Sequence, residues 1–73
     1  MSWIKRHLSA AAALAQPLIA GQRTAEETVR AVLAQRSGFW SRAWHFAALI
    51  HVLHRANEAR HARAVMLAMG RLW

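Results

Sequence analysis

The chain has 73 residues, four Trp and no Cys; 56% of it is hydrophobic and its formal net charge is +7. A chain this short holds one domain at most and covers only about 60% of its unfolded surface, and without Cys no disulfide braces it. Asp is absent, Glu26, Glu27 and Glu58 are the whole carboxylate set, and Gly21, Gly38 and Gly70 stand apart, which excludes paired acids in a cleft and glycine-rich phosphate loops and leaves a protein that binds without catalysis or cofactor.

The first segment, residues 2–20, reads as an amphipathic helix. Trp3, Ile4, His7, Leu8, Ala11, Leu14, Ala15 and Leu18 recur at helical spacing and share one face. The run of Ala from 10 to 13 favours helix while supplying little core volume. Pro17, which lacks an amide hydrogen and crowds the preceding turn, is expected to kink or end this helix early. Gly21 is a natural stop beyond it.

The second segment, residues 25–36, opens on Thr24-Ala25-Glu26-Glu27. That is a capping box: the Thr24 hydroxyl accepts from the Glu27 amide and the Glu27 carboxylate reaches back. Two glutamates in the first turn also suit the positive end of the helix dipole. Ala25, Val29, Val32 and Leu33 form the apolar stripe, and Ser37-Gly38 breaks the helix.

The third segment, residues 39–69, holds neither Pro nor Gly and reads as one helix of about 46 Å at the standard rise. Its first half, residues 39–53, is apolar nearly all round, a property of helices buried in protein or lipid. Residues 55–63 are polar, and 64–73 are apolar again apart from Arg71, so a break or a change of surroundings is expected near residues 55–60. No strand pattern occurs. The predicted fold is all-α: two short helices followed by one long helix, bent or broken, in a small bundle or an extended helical hairpin.

His51, His54, Glu58 and His61 are spaced three, four and three apart and are expected to share one helix face. Glu58-Ala59-Arg60-His61 fits the Glu-x-x-His unit of ferritin-like di-metal sites, which need two such units and two further carboxylates. Arg55, Arg60 and Arg63 crowd the same stretch and oppose a cation, so the expectation is a solvated face with Glu58 paired to Arg55 or His54, and no metal. Ala47 to His51 is an Ala-x-x-x-His step similar to the pigment-ligand step of light-harvesting polypeptides, whose full membrane span is missing here.

Ten cations against three acids attract phosphate on lipid or nucleic acid. Arg also pairs with protein carboxylates. Arg42, Arg55, Arg60, Arg63 and Arg71 are the candidate contacts for anionic groups, but they scatter around the third helix, and no nucleic-acid-binding motif accompanies them. Trp suits both the lipid headgroup layer and the centre of protein interfaces. Trp3, Trp40, Trp44, Phe46, Leu49 and Trp73 are therefore the candidate anchors.

Much apolar surface with little core volume leads to an expected function: a basic helical accessory subunit docking its Trp-bearing helices onto a larger protein assembly at or near a membrane, with homo-oligomers as a further way to cover them. The opening Met1-Ser2-Trp3, the charge and the Trp content resemble leaderless bacteriocins, which implies a compact helical bundle that permeabilises membranes. A nucleic-acid-binding module is the third reading. The expected location is the periphery of a bacterial or mitochondrial inner membrane, with secreted or cytoplasmic as alternatives. Residues 1–25 are basic, amphipathic and free of acid, similar to a mitochondrial presequence, and Lys5-Arg6 before an Ala-rich run also has the order of a secretory signal.

Overall fold

The computed structural model describes residues 2–73, with side chains from residue 5 onward. Four helices follow one another: α1 (Ser2–Ile19), α2 (Ala25–Gln35), α3 (Phe39–Arg55) and α4 (Ala59–Leu72). The all-α class holds, but the single long third helix is two helices. Asn57 stands at φ 60°, and its amide donates to His54 O at 3.0 Å while the Glu58 amide donates to Leu53 O at 2.8 Å. This is a Schellman closure, with Asn in the left-handed position that Gly usually takes. It turns the chain where the polar stretch begins, so that the apolar residues of α4 fold back against α3.

The end of α1 is also a correction. Pro17 lies in the last turn, and the helix continues through it to Ile19. The proline removes one ladder bond, the one its amide would make to Ala13 O, and the rest of the helix bridges that gap. Gly21, at φ 75°, then closes the helix by donating to Leu18 O at 3.2 Å, and Gln22 donates to Pro17 O at 2.9 Å. The start of α2 is the expected box. Thr24 Oγ1 accepts from the Glu27 amide at 3.1 Å, and Glu27 Oε1 accepts from the Thr24 amide at 2.8 Å.

The Thr24 amide, then the Thr24 hydroxyl contact, hold the Glu27 carboxyl below its ordinary value of 4.5. A carboxyl whose folded value is depressed contributes stability above its unfolded value and loses it as pH falls through the folded one. The box therefore weakens only below about pH 4.5. Thr24→Ala is expected to cost about 1 kcal/mol, read as a lower urea midpoint at unchanged slope.

The core joins all four helices: Ala11, Leu14, Ala15 and Leu18 from α1; Val29 and Val32 from α2; Phe46, Leu49 and Leu53 from α3; Ala62, Val65 and Ala68 from α4. α1 packs chiefly along α3, and α2 along α4, with α3 against α4 joining the two pairs. Small Ala faces on α1 and α4 let the axes approach closely around the larger Phe46 and Leu side chains. Thr28, fully buried, satisfies its hydroxyl by donating to Thr24 O at 2.8 Å.

The radius of gyration is 11.1 Å, against about 11 Å for a folded chain of this length. The accessible surface is 4943 Å², against roughly 4,500 Å² for a globular protein of this mass. The Ala-rich helices thus close their own core once the fourth helix is in place. No helix among the described residues is long and apolar enough to cross a membrane.

Candidate surface-binding site

Leu8 and Ile19 on α1 and Leu67 on α4 are exposed singly, but the exposed aromatic side chains lie at the start of α3 and the end of α4. Phe39 is 62% exposed, Trp40 71%, Trp44 58% and Trp73 42%. Phe39 stacks on Trp73, ring centroids 5.3 Å apart and planes 26° apart, and meets Trp40 edge-on at 5.0 Å. Trp73 also lies 5.3 Å from Phe46 and so roofs the core at this end. Trp44 follows Trp40 by one turn on the outer face of α3. Met66, 46% exposed, lies two turns before Trp73 on α4. The edge-on and offset geometries are the favoured ones for aromatic pairs and hold the rings as a group.

Two of the six candidate anchors are not surface residues. Phe46 and Leu49 are buried, because the inward face of α3 runs through them to Leu53, and they fill the bundle interior. Trp3 lies outside the residues whose side chains are described. Trp40 and Trp73 are brought together through Phe39, and Trp44 lies one turn further along α3. Phe39 is absent from the anchors read from the sequence, although its place beside Trp40 was the available signal.

The cations divide in the same way. Arg42 is committed inside the fold: its Nε donates to Arg36 O at 2.8 Å and its Nη2 to Leu33 O at 3.0 Å. It thereby caps the negative end of α2 and ties α3 to it across Ser37-Gly38. Arg71 pairs with Glu26 at 3.3 Å, and Arg30 approaches the same carboxylate at 4.0 Å. Arg55, Arg60 and Arg63 are exposed and, among the described residues, have no ion-pair partner.

Every carboxylate is therefore engaged within the molecule: Glu26 with Arg71 and Arg30, Glu27 in the capping box, and Glu58 with His61. None of the three glutamates is left to offset Arg55, Arg60 and Arg63.

The His/Glu constellation does not form one face. The turn at Asn57 leaves His51 and His54 on α3 and moves Glu58 and His61 to the start of α4. Glu58 Oε2 and His61 Nδ1 are 2.8 Å apart, so the partner of Glu58 is His61 rather than Arg55 or His54. Among the described residues, no group of three or more His, Cys, Asp or Glu side chains is placed to hold a metal ion.

One residue with distinctive surroundings was not singled out in the sequence. His45, 1% exposed, shares the inward face of α3 with Phe46 and Leu49, and its ring faces His7 of α1 with centroids 6.4 Å apart. Its position four residues before Leu49 was the sequence signal for an inward imidazole.

The surface consists, then, of an exposed aromatic group at one end of the α3/α4 pair and exposed Arg and His side chains at the other, near the Asn57 turn. Such an arrangement can bind an amphipathic, anionic surface. The chain matches no protein-family model, no curated protein and no solved structure.

Proposed function

We propose that this chain is a non-enzymatic binding protein that seats peripherally on an anionic membrane surface. Phe39, Trp40, Trp44 and Trp73 enter the headgroup layer, and the unpaired arginines lie at lipid phosphates. The observation that supports this reading is the exposed aromatic group on a bundle of net charge +7 whose three carboxylates are all engaged internally. Indole rings are amphipathic and favour the membrane–water boundary, and basic side chains near an anionic leaflet add attraction of about 1 kcal/mol each.

Docking onto a larger protein assembly uses the same anchors. Its motive, however, was a shortage of interior, and the bundle covers its own core. A lipid surface needs no matching protein shape, and it favours the sign of charge that this chain carries in excess.

The test is co-sedimentation of the chain with phosphatidylglycerol-containing and pure phosphatidylcholine vesicles, together with Trp emission. Binding to the anionic vesicles with a blue shift, weakening as salt rises, is the expected result. Absence of binding to the anionic vesicles overturns the proposal, whether or not a mild-detergent extract yields a stable protein complex instead. Dye release in the same samples separates a bacteriocin-like permeabiliser from a protein that only rests on the surface.

A further inference from the structure

We propose that His45 is an acid-operated latch between α1 and α3: when its imidazole takes up a proton, α1 loosens from α3 and bares apolar surface next to the aromatic group. In its consequence for lipid binding the latch rests on the membrane-surface reading. As a conformational device it stands on the packing alone.

His45 lies at the seam of the α1/α3 pair, covered by protein, and its Nδ1 has no hydrogen-bond partner. The groups that face it are bases and cations: His7 from α1 and Arg36 beyond the end of α2. On α3 itself, Arg42 is one turn earlier, held by the α2 carbonyls. Among the described residues, α4 presents no titratable group to it. No carboxylate is at hand, since Glu26, Glu27 and Glu58 are engaged elsewhere. A proton on this ring would place a charge in a covered site on the side of the Arg36 cation, with no side-chain carboxylate to balance it.

Burial first, then Arg36 and His7, hold the His45 value below its ordinary 6.5. The sign follows directly. The closed form takes the proton less readily than an opened form in which the ring meets water, so closure is at full strength above pH 6.5 and weakens as pH falls below it. For one proton, the opening equilibrium gains up to about tenfold per pH unit below that point. This window lies above the one in which the Glu27 capping box gives way.

α1 is the element that yields. Its buried side is Ala11, Leu14, Ala15 and Leu18, half of it alanine, and it packs mainly on α3. α2, α3 and α4 keep their mutual contacts without it. Its departure would uncover Leu49 and Leu53 on the helix that carries Trp40 and Trp44.

The experiment is amide hydrogen exchange of the whole chain in buffer without lipid, at about pH 7.5 and about pH 5, corrected for intrinsic rates. In the natural sequence, α1 protection is expected to fall on acidification, by at most about tenfold per pH unit below 6.5, while α4 changes little. His45→Leu, which cannot take a proton, is expected to hold α1 protection level, and His51→Gln, on the exposed face, to behave as the natural sequence. An unchanged α1 in the natural protein, or the same acid response in His45→Leu, overturns the latch. Should His45→Leu fail to fold, NMR titration of the natural protein decides: a His45 ring that titrates at or above 6.5 overturns it. Vesicle binding at about pH 7.5 is read separately. Its absence beside an acid-opened α1 removes the membrane reading alone, and its presence beside a pH-indifferent α1 removes the latch alone.

Discussion

Phe46→Ala is expected to remove most of the stability of the fold. Phe46 is 1% exposed, is the largest fully buried side chain among the described residues, and lies beneath Trp73 at 5.3 Å. Truncating a buried Phe removes its transfer energy and leaves a cavity, together about 3–5 kcal/mol. A chain of 73 residues is stabilised in total by about 4–11 kcal/mol. The variant should melt far below the natural protein, or be unfolded in buffer, when followed by far-ultraviolet circular dichroism. A loss under about 1 kcal/mol would show that Phe46 is not the centre of packing. Trp40→Ala is the contrast: its indole is 71% exposed, so its removal should change stability by about 0.5 kcal/mol or less.

The contrast between Phe46 and Trp40 also shows what the sequence could and could not reveal. Local signals were legible because they are short-range chemistry. The Thr24–Glu27 box formed as written, Gly21 closed α1, and Ser37-Gly38 separated α2 from α3. The break near residues 55–60 was visible as a change in polarity, but its cause was not. Asn tolerates the left-handed conformation better than most residues, and the turn it makes packs Ala62, Val65 and Ala68 against the rest of the core.

The first half of α3 was harder still. Apolar residues all round a helix do not say which flank meets the interior. The α1 and α4 surfaces decide it, drawing Phe46, Leu49 and Leu53 inward and leaving Phe39, Trp40 and Trp44 outward. The pairing of His45 with His7 was invisible for the same reason, since nothing in its neighbourhood names a counterpart 38 positions earlier (45 − 7). The charges were legible in number and not in role. Arg42 looks like any other surface arginine until the end of α2 arrives beside it to be capped.

Replacing Trp40 and Trp44 together by Ala is expected to weaken partitioning onto anionic vesicles by about a hundredfold while leaving the fold intact. Full burial of a large apolar side chain is worth about 1.5–3 kcal/mol. With 71% and 58% of their surfaces open in water, each indole has about 1–2 kcal/mol still to gain from the headgroup layer, and each 1.4 kcal/mol is about tenfold in affinity. The net charge is untouched, so the residual binding should keep its dependence on salt. Arg60→Gln with Arg63→Gln should do the converse: a smaller loss at low salt, about 1 kcal/mol per charge, and a shallower salt dependence, with the Trp blue shift retained. Equal partitioning of the double Trp variant and the natural protein would mean that attraction between charges carries the binding by itself. The aromatic group would then be ornament to the lipid contact rather than its anchor, and the role proposed for Phe39, Trp40, Trp44 and Trp73 would fall.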